Sequence, residues 1–474
     1  MEAITLGQLI EATNGTLLRG GQQEDNIGIQ PENISITGIQ SDNRIVEEGD
    51  AFFAFVGDKT DGHRYVTAAL EAGAAGAVVS KEPEEYLPGK FYVLVKDTIE
   101  ALGDLAHWYR ERFSIPVVGI TGSVGKTTTK DMIASVLSVK YTTLKTQGNY
   151  NNNIGLPKTL LNLSADTQMA VIEMGMNHLK EIDYLVRIAK PQTAVITNIG
   201  DAHIGNLGSK ENIFKAKCEI FEGLEDGGYA VLNGDDEYLT RLREDPDKKE
   251  RFVLTFVGES EGCEWRAVDI KEDSQDSMSF TAVTPIGTFD LKVPALGHHM
   301  IYPALTAAAV GAHYGLSAAE IQDGIAGYVP TKMRMETLQL EGGIVIYNDT
   351  YNANPQSMKA GLLTLSHTKA ARRIAVLGDM KELGDSEERL HREVGAYAAS
   401  LQPDVLITAG EAAALLAEEA RRGGLAKIYA CRDKEEAKAA IQKEAGKDTA
   451  WLFKASRSMA FEELAHYAAG LSVQ

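Results

Sequence analysis

The stretch Gly119-Ile-Thr-Gly-Ser-Val-Gly-Lys-Thr-Thr-Thr129 sets glycines, a lysine and hydroxyls where an apolar strand, Pro116-Val-Val-Gly-Ile120, should enter a helix beginning near Lys126. Such a turn binds polyphosphate. Backbone N–H groups and the positive helix end face the anion, the lysine adds charge, and a hydroxyl holds Mg²⁺. The expected nucleotide contacts are Gly122, Ser123, Val124, Gly125, Lys126, Thr127 and Thr128. The spacing is a variant, because Ile120 stands where the usual loop has its first glycine. A glycine-rich turn that binds nothing is the plainer alternative.

Other candidates follow apolar runs. Glu173 ends Met169-Ala-Val-Ile172 and is placed to hold Mg²⁺ directly or through water, or else to serve as a solvated or helix-capping acid. His203, in Asn198-Ile-Gly-Asp-Ala-His203, suits a second metal or a phosphate, or a structural hydrogen bond. Gln147-Gly-Asn-Tyr-Asn-Asn-Asn-Ile-Gly-Leu-Pro157 offers Asn149, Asn152 and Asn153 as uncharged donors and acceptors for a sugar- or peptide-bearing ligand; an Asn-rich turn is the alternative. Asn348-Asp-Thr-Tyr-Asn-Ala-Asn-Pro355 reads equally as a binding loop or a tight turn. Arg334 sits at a boundary, where a lone arginine is solvated or reaches a phosphate across a cleft. Lys217, by composition alone, is a solvent-facing helical lysine.

The elements that must position these residues form three α/β blocks, 1–96, 97–330 and 331–474. The first holds short strands at Ala51-Phe-Phe-Ala-Phe-Val56 and Ala77-Val-Val79, with a helix from Gly62 to Ala72. The second repeats apolar strand, polar tip and helix, at Val117–Ile120, Met169–Ile172, Thr193–Thr197 and Tyr229–Leu232. That pattern predicts a parallel sheet covered on both faces, with ligands beyond the strand C-termini. Between about Phe252 and Leu296, alternating runs predict an antiparallel β insert. The third block repeats the α/β pattern at Ile344–Tyr347, Ile374–Leu377, Val405–Ile407 and Trp451–Phe453, a Rossmann-like domain with its own sheet.

Composition narrows the chemistry. The 474 residues carry a formal charge of −20, which argues against nucleic acid or an anionic membrane as partner. Cys218, Cys263 and Cys431 are scattered, so neither a disulfide framework nor a zinc site is expected and a reducing cytoplasm fits. No secretory-type N-terminus or long apolar segment is present, so a soluble protein is expected.

Taken in order, the variant phosphate loop, Gly148-Asn-Tyr-Asn-Asn-Asn-Ile-Gly-Leu-Pro157, Glu173-Met-Gly175 and Asn198-Ile-Gly-Asp-Ala-His203 resemble the Mur ligase family. Asp349-Thr-Tyr-Asn-Ala-Asn-Pro355, Leu377-Gly-Asp-Met-Lys-Glu-Leu-Gly384 and Lys454-Ala-Ser-Arg457 resemble the branch that adds D-alanyl-D-alanine to UDP-N-acetylmuramoyl tripeptide. The resemblance implies ATP-dependent ligation through an acyl phosphate in peptidoglycan precursor synthesis, by a cytoplasmic enzyme expected to be a monomer. It implies an N-terminal domain for the UDP substrate, a central ATPase domain and a C-terminal domain that closes over both. Ser41, Asp42 and Arg44 would contact the UDP-sugar, Lys126 the phosphates, and Thr127, Glu173 and His203 the Mg²⁺ ions. Lys217 matches a lysine that carries a carbamate near the second metal, giving Lys126, His203 and Lys217 as the catalytic set. Arg334, with Asn348, Asp349 and Asn352, would complete the ATP site on closure about hinges near Asp97 and Pro330. Met300 and Pro303 depart from the family's adenine segment. Two alternatives are another amide ligase of the superfamily, such as an earlier Mur ligase or a folylpolyglutamate synthase, and a GTP-binding switch. The latter is disfavoured because Asn198-Ile-Gly-Asp201 lacks the lysine of a guanine-reading motif.

Overall fold

The computed structural model describes residues 1–18, 30–57, 60–272 and 277–471. These form two compact units, one of Met1–Gly119, Thr142–Gly175 and Glu181–Gln192, the other of Ile120–Tyr141, Met176–Lys180 and Thr193–Gln474.

The first unit contains a five-stranded sheet ordered Thr16–Leu17, Phe91–Leu94, Gly76–Val79, Asp50–Phe53, Gly38–Gln40, parallel except for the first pair. Phe52, Ala77 and Tyr92 pack with Val66 and Leu70 of the helix Val66–Glu71 to form its core. The helix predicted from Gly62 starts as a 3₁₀ turn over Gly62–Tyr65. At Gly62 a side chain would meet the Phe55 carbonyl at 2.6 Å, so the chain is pinned there before it widens into an α-helix.

The largest sheet has nine strands in the order Gly287–Val293, Met278–Thr284, Trp265–Glu272, Val253–Gly258, Tyr229–Asn233, Thr193–Ile196, Val117–Thr121, Met169–Glu173, Thr143–Lys145. The strand bearing the glycine-rich loop is therefore internal, fully buried, and flanked by strands that arrive later in sequence. In open α/β sheets ligands bind beyond the strand C-termini at such a change of strand order. The β insert differs from expectation in its first strand. Val253–Gly258 is parallel to Tyr229–Asn233, and only Trp265–Glu272, Met278–Thr284 and Gly287–Val293 pair antiparallel. The reason is the helix Pro246–Arg251, which returns the chain to the start of the sheet as a crossover.

Within the second unit lies a six-stranded sheet ordered Glu336–Leu340, Ile344–Asn348, Thr449–Lys454, Arg372–Gly378, Val405–Ala409, Ile428–Cys431, antiparallel only at its first pair. Alternate residues of its strands face two cores, Tyr347, Leu377 and Leu452 on one side and Ile346, Val376 and Phe453 on the other. Thr143–Lys145, Glu336–Leu340 and Ile428–Cys431 were not anticipated. They lie at sheet edges, where one side of the strand has no partner strand and half-buried residues replace a continuous apolar run.

Candidate active site

The glycine-rich loop follows Val117–Thr121, and the helix Lys126–Leu137 begins at its end. Ile120 is fully buried within the strand, so the loop proper starts at Gly122 and the shifted spacing costs it nothing. Gly122 and Gly125 have φ of 150° and 81°, which L side chains rarely adopt. A side chain at Gly122 would also run into Thr197 Oγ1, at 1.8 Å. No side chain caps the helix at Gly125. The positive end of the helix dipole therefore lies at this loop, where an anion is favoured.

The segment after Thr193–Ile196 bolts this loop down. Thr197 Oγ1 and Asn198 Nδ2 donate to the Val124 carbonyl at 2.6 and 3.0 Å, and Asn198 Oδ1 accepts the Val124 N–H at 3.0 Å. Ser123 N–H donates to Asn198 O at 3.0 Å, and Ser123 Oγ accepts from Gly200 N–H at 2.8 Å. Asn198 thus serves the loop rather than a base. Lys126 Nζ donates to Gly122 O at 2.8 Å, arching over the turn.

His203 follows on this segment, at φ 65° before the short helix Ile204–Leu207. Its Nδ1 lies 2.9 Å from Glu382 Oε2 without the alignment of a hydrogen bond. Interaction with the His203 ring holds the Glu382 carboxyl below its usual range, so it is a carboxylate at neutral pH.

Lys217 corrects the solvent-facing reading. It is 1% exposed in the helix Lys210–Cys218, and burial, followed by the charge of Lys126, pushes its pKa far below the usual lysine value. Burial thus favours the uncharged form of this amine.

From the third block, Arg334 Nη2 donates to Thr127 Oγ1 at 3.0 Å. The guanidinium stacks 4.0 Å from the Tyr351 ring centroid, and its Nε is buried without a partner. Met333 and Met335, on either side, both have positive φ, so the backbone holds Arg334 in a strained bend. Asp349 Oδ2 is 2.5 Å from Lys454 Nζ, which is itself 2% exposed and also donates to Asn352 O at 3.0 Å. Asn348 is 1% exposed and spends its amide on Glu336 and Thr350. Asn354 caps the helix Pro355–His367, with Pro355 in its first turn. Part of this run is therefore turn chemistry, while the exposed Asn352 side chain and Asp349 remain at the tip.

In the first unit, Glu173 is 2% exposed. Asn151 Nδ2 donates to its Oε1 at 2.8 Å, while Oε2 is buried without a partner. A buried orphan carboxylate oxygen is costly alone and suits a cation. Asn152 Oδ1 accepts from Gly155 N–H at 2.8 Å, a capping role, whereas Asn149 and Asn153 are exposed. Arg44 forms a fork on Asp42, at 2.8 and 2.6 Å, and draws the Asp42 carboxyl down to about 2. Lys158 Nζ donates to Ser41 Oγ at 2.7 Å, which joins the asparagine segment to the Ser41 motif.

Glu173, Thr127 and His203 each supply a donor that a divalent ion accepts. Among the described residues no three His, Cys, Asp or Glu side chains converge. Met300 is 5% exposed and Pro303 is buried, so both pack. The polar groups beside them are His298, bonded to Glu259 at 2.7 Å, and Tyr302, bonded to Asp235 at 3.1 Å. Tyr302, Lys158, Asn151 and Glu382 were not singled out from sequence. Glu382 and Asn151 lay inside quoted motifs, and Lys158 has no local signal.

Comparison with known proteins gives three successive family matches. They are the Mur ligase family, catalytic domain, over residues 35–110; the Mur ligase middle domain over 120–311; and the Mur ligase, glutamate ligase domain over 333–457. The UDP-N-acetylmuramoyl-tripeptide--D-alanyl-D-alanine ligase of Bacillus subtilis is 37% identical over 462 residues, 97% of each chain. Crystal structure I of MurF from Acinetobacter baumannii superposes with a TM-score of 0.89 at 33% identity, covering 100% of both chains. The MurF ligase of Thermotoga maritima in complex with ADP gives 0.81 at 28% identity, over 92% of this chain and 97% of that one.

Proposed function

The chain belongs to the Mur ligase family, and we propose that it joins D-alanyl-D-alanine to UDP-N-acetylmuramoyl tripeptide, cleaving ATP to ADP and phosphate. The observation that carries this reading is the near-full-length similarity to the Bacillus subtilis ligase, through all three blocks. A carboxylate is a poor acyl donor. Its oxygen attacks the γ-phosphorus, ADP leaves, and the acyl phosphate accepts the dipeptide amine at its carbonyl carbon as phosphate departs. The amine must lose a proton, and with a free pKa of about 8 this needs only a nearby acceptor.

Lys126 and the first turn of Lys126–Leu137 hold the phosphates, and their charge offsets the approach of two anions. Thr127, Glu173 and His203 would hold Mg²⁺, with Lys217 carrying a carbamate; burial favours its uncharged amine, the form that takes up CO₂. Mg²⁺ bound by these residues would neutralise charge on the transferring phosphoryl group. Ser41, Asp42, Arg44, Asn149 and Asn153 meet the UDP substrate, with Asn152 shaping their loop. Arg334, Asp349 and Asn352 complete the nucleotide site, with Asn348 holding their strand tip. Closure about hinges near Asp97 and Pro330 excludes water, which would destroy the acyl phosphate. No described helix is long and apolar enough to cross a membrane. We place the enzyme in the cytoplasm as a monomer.

The test is phosphate release with ATP, UDP-N-acetylmuramoyl tripeptide and D-alanyl-D-alanine. Turnover requiring both peptides, and abolished in Lys126→Ala, is expected; turnover with GTP and no peptide substrate would refute it. Lysine- and diaminopimelate-containing tripeptides, run in parallel, identify the third residue.

A further inference from the structure

The loop after Arg372–Gly378 is held from three sides. Asp379 is 3% exposed, with Oδ1 accepting from Ala413 N–H at 2.8 Å and Oδ2 from Lys381 Nζ at 2.7 Å. Ser456 N–H donates to Asp379 O at 3.0 Å, and Ser456 Oγ accepts Lys381 N–H at 2.8 Å. His391, fully buried, accepts Met380 N–H on Nε2 at 3.0 Å while its Nδ1 donates to Glu387 O at 2.8 Å. So rigid a mounting presents the next residue, Glu382, in a fixed place.

Glu382 and His203 face each other, and both have φ of 65°, a conformation disfavoured for side-chain-bearing residues. Strain of this kind persists only where surrounding contacts enforce it, and it gathers at functional sites. Those contacts are present. Gly205 N–H donates to Glu382 O at 3.2 Å, and Gly205 and Gly384 approach backbone to backbone. Across this junction the Glu382 carboxylate is brought 2.9 Å from His203 Nδ1.

We propose that Glu382 is a positioning residue for His203: its carboxylate, 2.9 Å from Nδ1, draws the ring proton to that nitrogen by its charge and so favours the tautomer in which Nε2 keeps the lone pair for the metal–phosphate site. A histidine ligand is ordinarily held this way by a carboxylate on its other nitrogen, and loss of that partner costs about 10–100-fold in metal affinity or activity. Here the carboxylate comes from the third block and the ring from the central one, so the ring is set only while the two are docked. This rests on the role given to His203 above.

The experiment titrates Mn²⁺, by electron paramagnetic resonance, into the full chain with a non-hydrolysable ATP analogue, and measures kcat and KM alongside. The variants are Glu382→Gln, Glu382→Gly, His203→Ala and the Glu382→Gln, His203→Ala double. Glycine is included because it relieves the positive φ while removing the carboxylate, which separates the side chain from the fold. Expected are a Mn²⁺ affinity and a kcat lowered by about tenfold or more in both Glu382 variants, an unchanged KM for the UDP substrate, and no further loss when Glu382→Gln is added to His203→Ala. Wild-type affinity in the Glu382 variants with a loss in His203→Ala overturns this inference and leaves the role of His203 standing. Independent, additive losses also overturn it. A His203→Ala chain that binds and turns over normally removes the role of His203 itself.

Discussion

Gly205→Ala tests whether the junction between the central and third blocks sets the rate. A methyl at Gly205 would lie 2.6 Å from Gly384 N and 2.9 Å from Glu382 O, both backbone atoms, whereas ordinary contact begins at 3.4 Å. Neither neighbour is a side chain that can swing aside, and Gly384, at φ 52°, is already in a conformation that favours glycine. The two segments must therefore part by about 0.8 Å, the shortfall against that 3.4 Å contact, which stretches the 3.2 Å Gly205 N–H to Glu382 O bond past hydrogen-bonding range. Loss of one such bond costs about 1 kcal/mol. The larger effect is on rate, since a misplacement of about 1 Å in a catalytic constellation costs on the order of 100-fold. In the phosphate-release assay, kcat should fall about 100-fold while KM for the UDP substrate stays within about twofold, because Ser41 and the asparagine loop are untouched. The melting temperature should drop by no more than about 4 °C. Gly208→Ala is the control, with φ of 77° and nothing within 4 Å of its Cβ, so it adds strain without a clash and should keep most of kcat. A Gly205→Ala enzyme with wild-type kcat, or a Gly208→Ala enzyme equally slow, would refute the reasoning.

Lys217→Ala should lower kcat by about 100-fold or more, with partial recovery on adding a short-chain carboxylic acid to replace the missing carbamate. A carbamate carbon signal should appear by NMR in wild type given ¹³C-bicarbonate, and its absence would remove the assignment. Burial lowers the His391 pKa below its ordinary 6.5, so the unfolded chain takes up the proton first. The stability this histidine leaves intact above pH 6.5 is accordingly lost as pH falls from that value toward the lower folded pKa. His391→Gln should flatten the decline in melting temperature between about pH 7 and 5, and an unchanged slope would show that other groups set it.

The sequence by itself determined the chemistry on offer and the scaffold that carries it. A glycine-rich turn after an apolar strand, Glu173 at the end of another, and the repeated strand–helix pattern are written in neighbouring residues, because backbone φ, strand burial and helix starts are local properties. The motifs also pointed to the family. What local pattern leaves open is which side of a helix another element will cover, so Lys217 read as solvated although it is buried. It equally leaves open whether an asparagine serves a ligand or the chain, and Asn152, Asn348 and Asn354 are spent on caps and strand ends. The contacts that assemble the site join Thr127 to Arg334, 207 residues apart, and His203 to Glu382. Only tertiary structure decides these, because such partners meet when whole sheets and loops have packed, and no periodicity in either segment encodes the other.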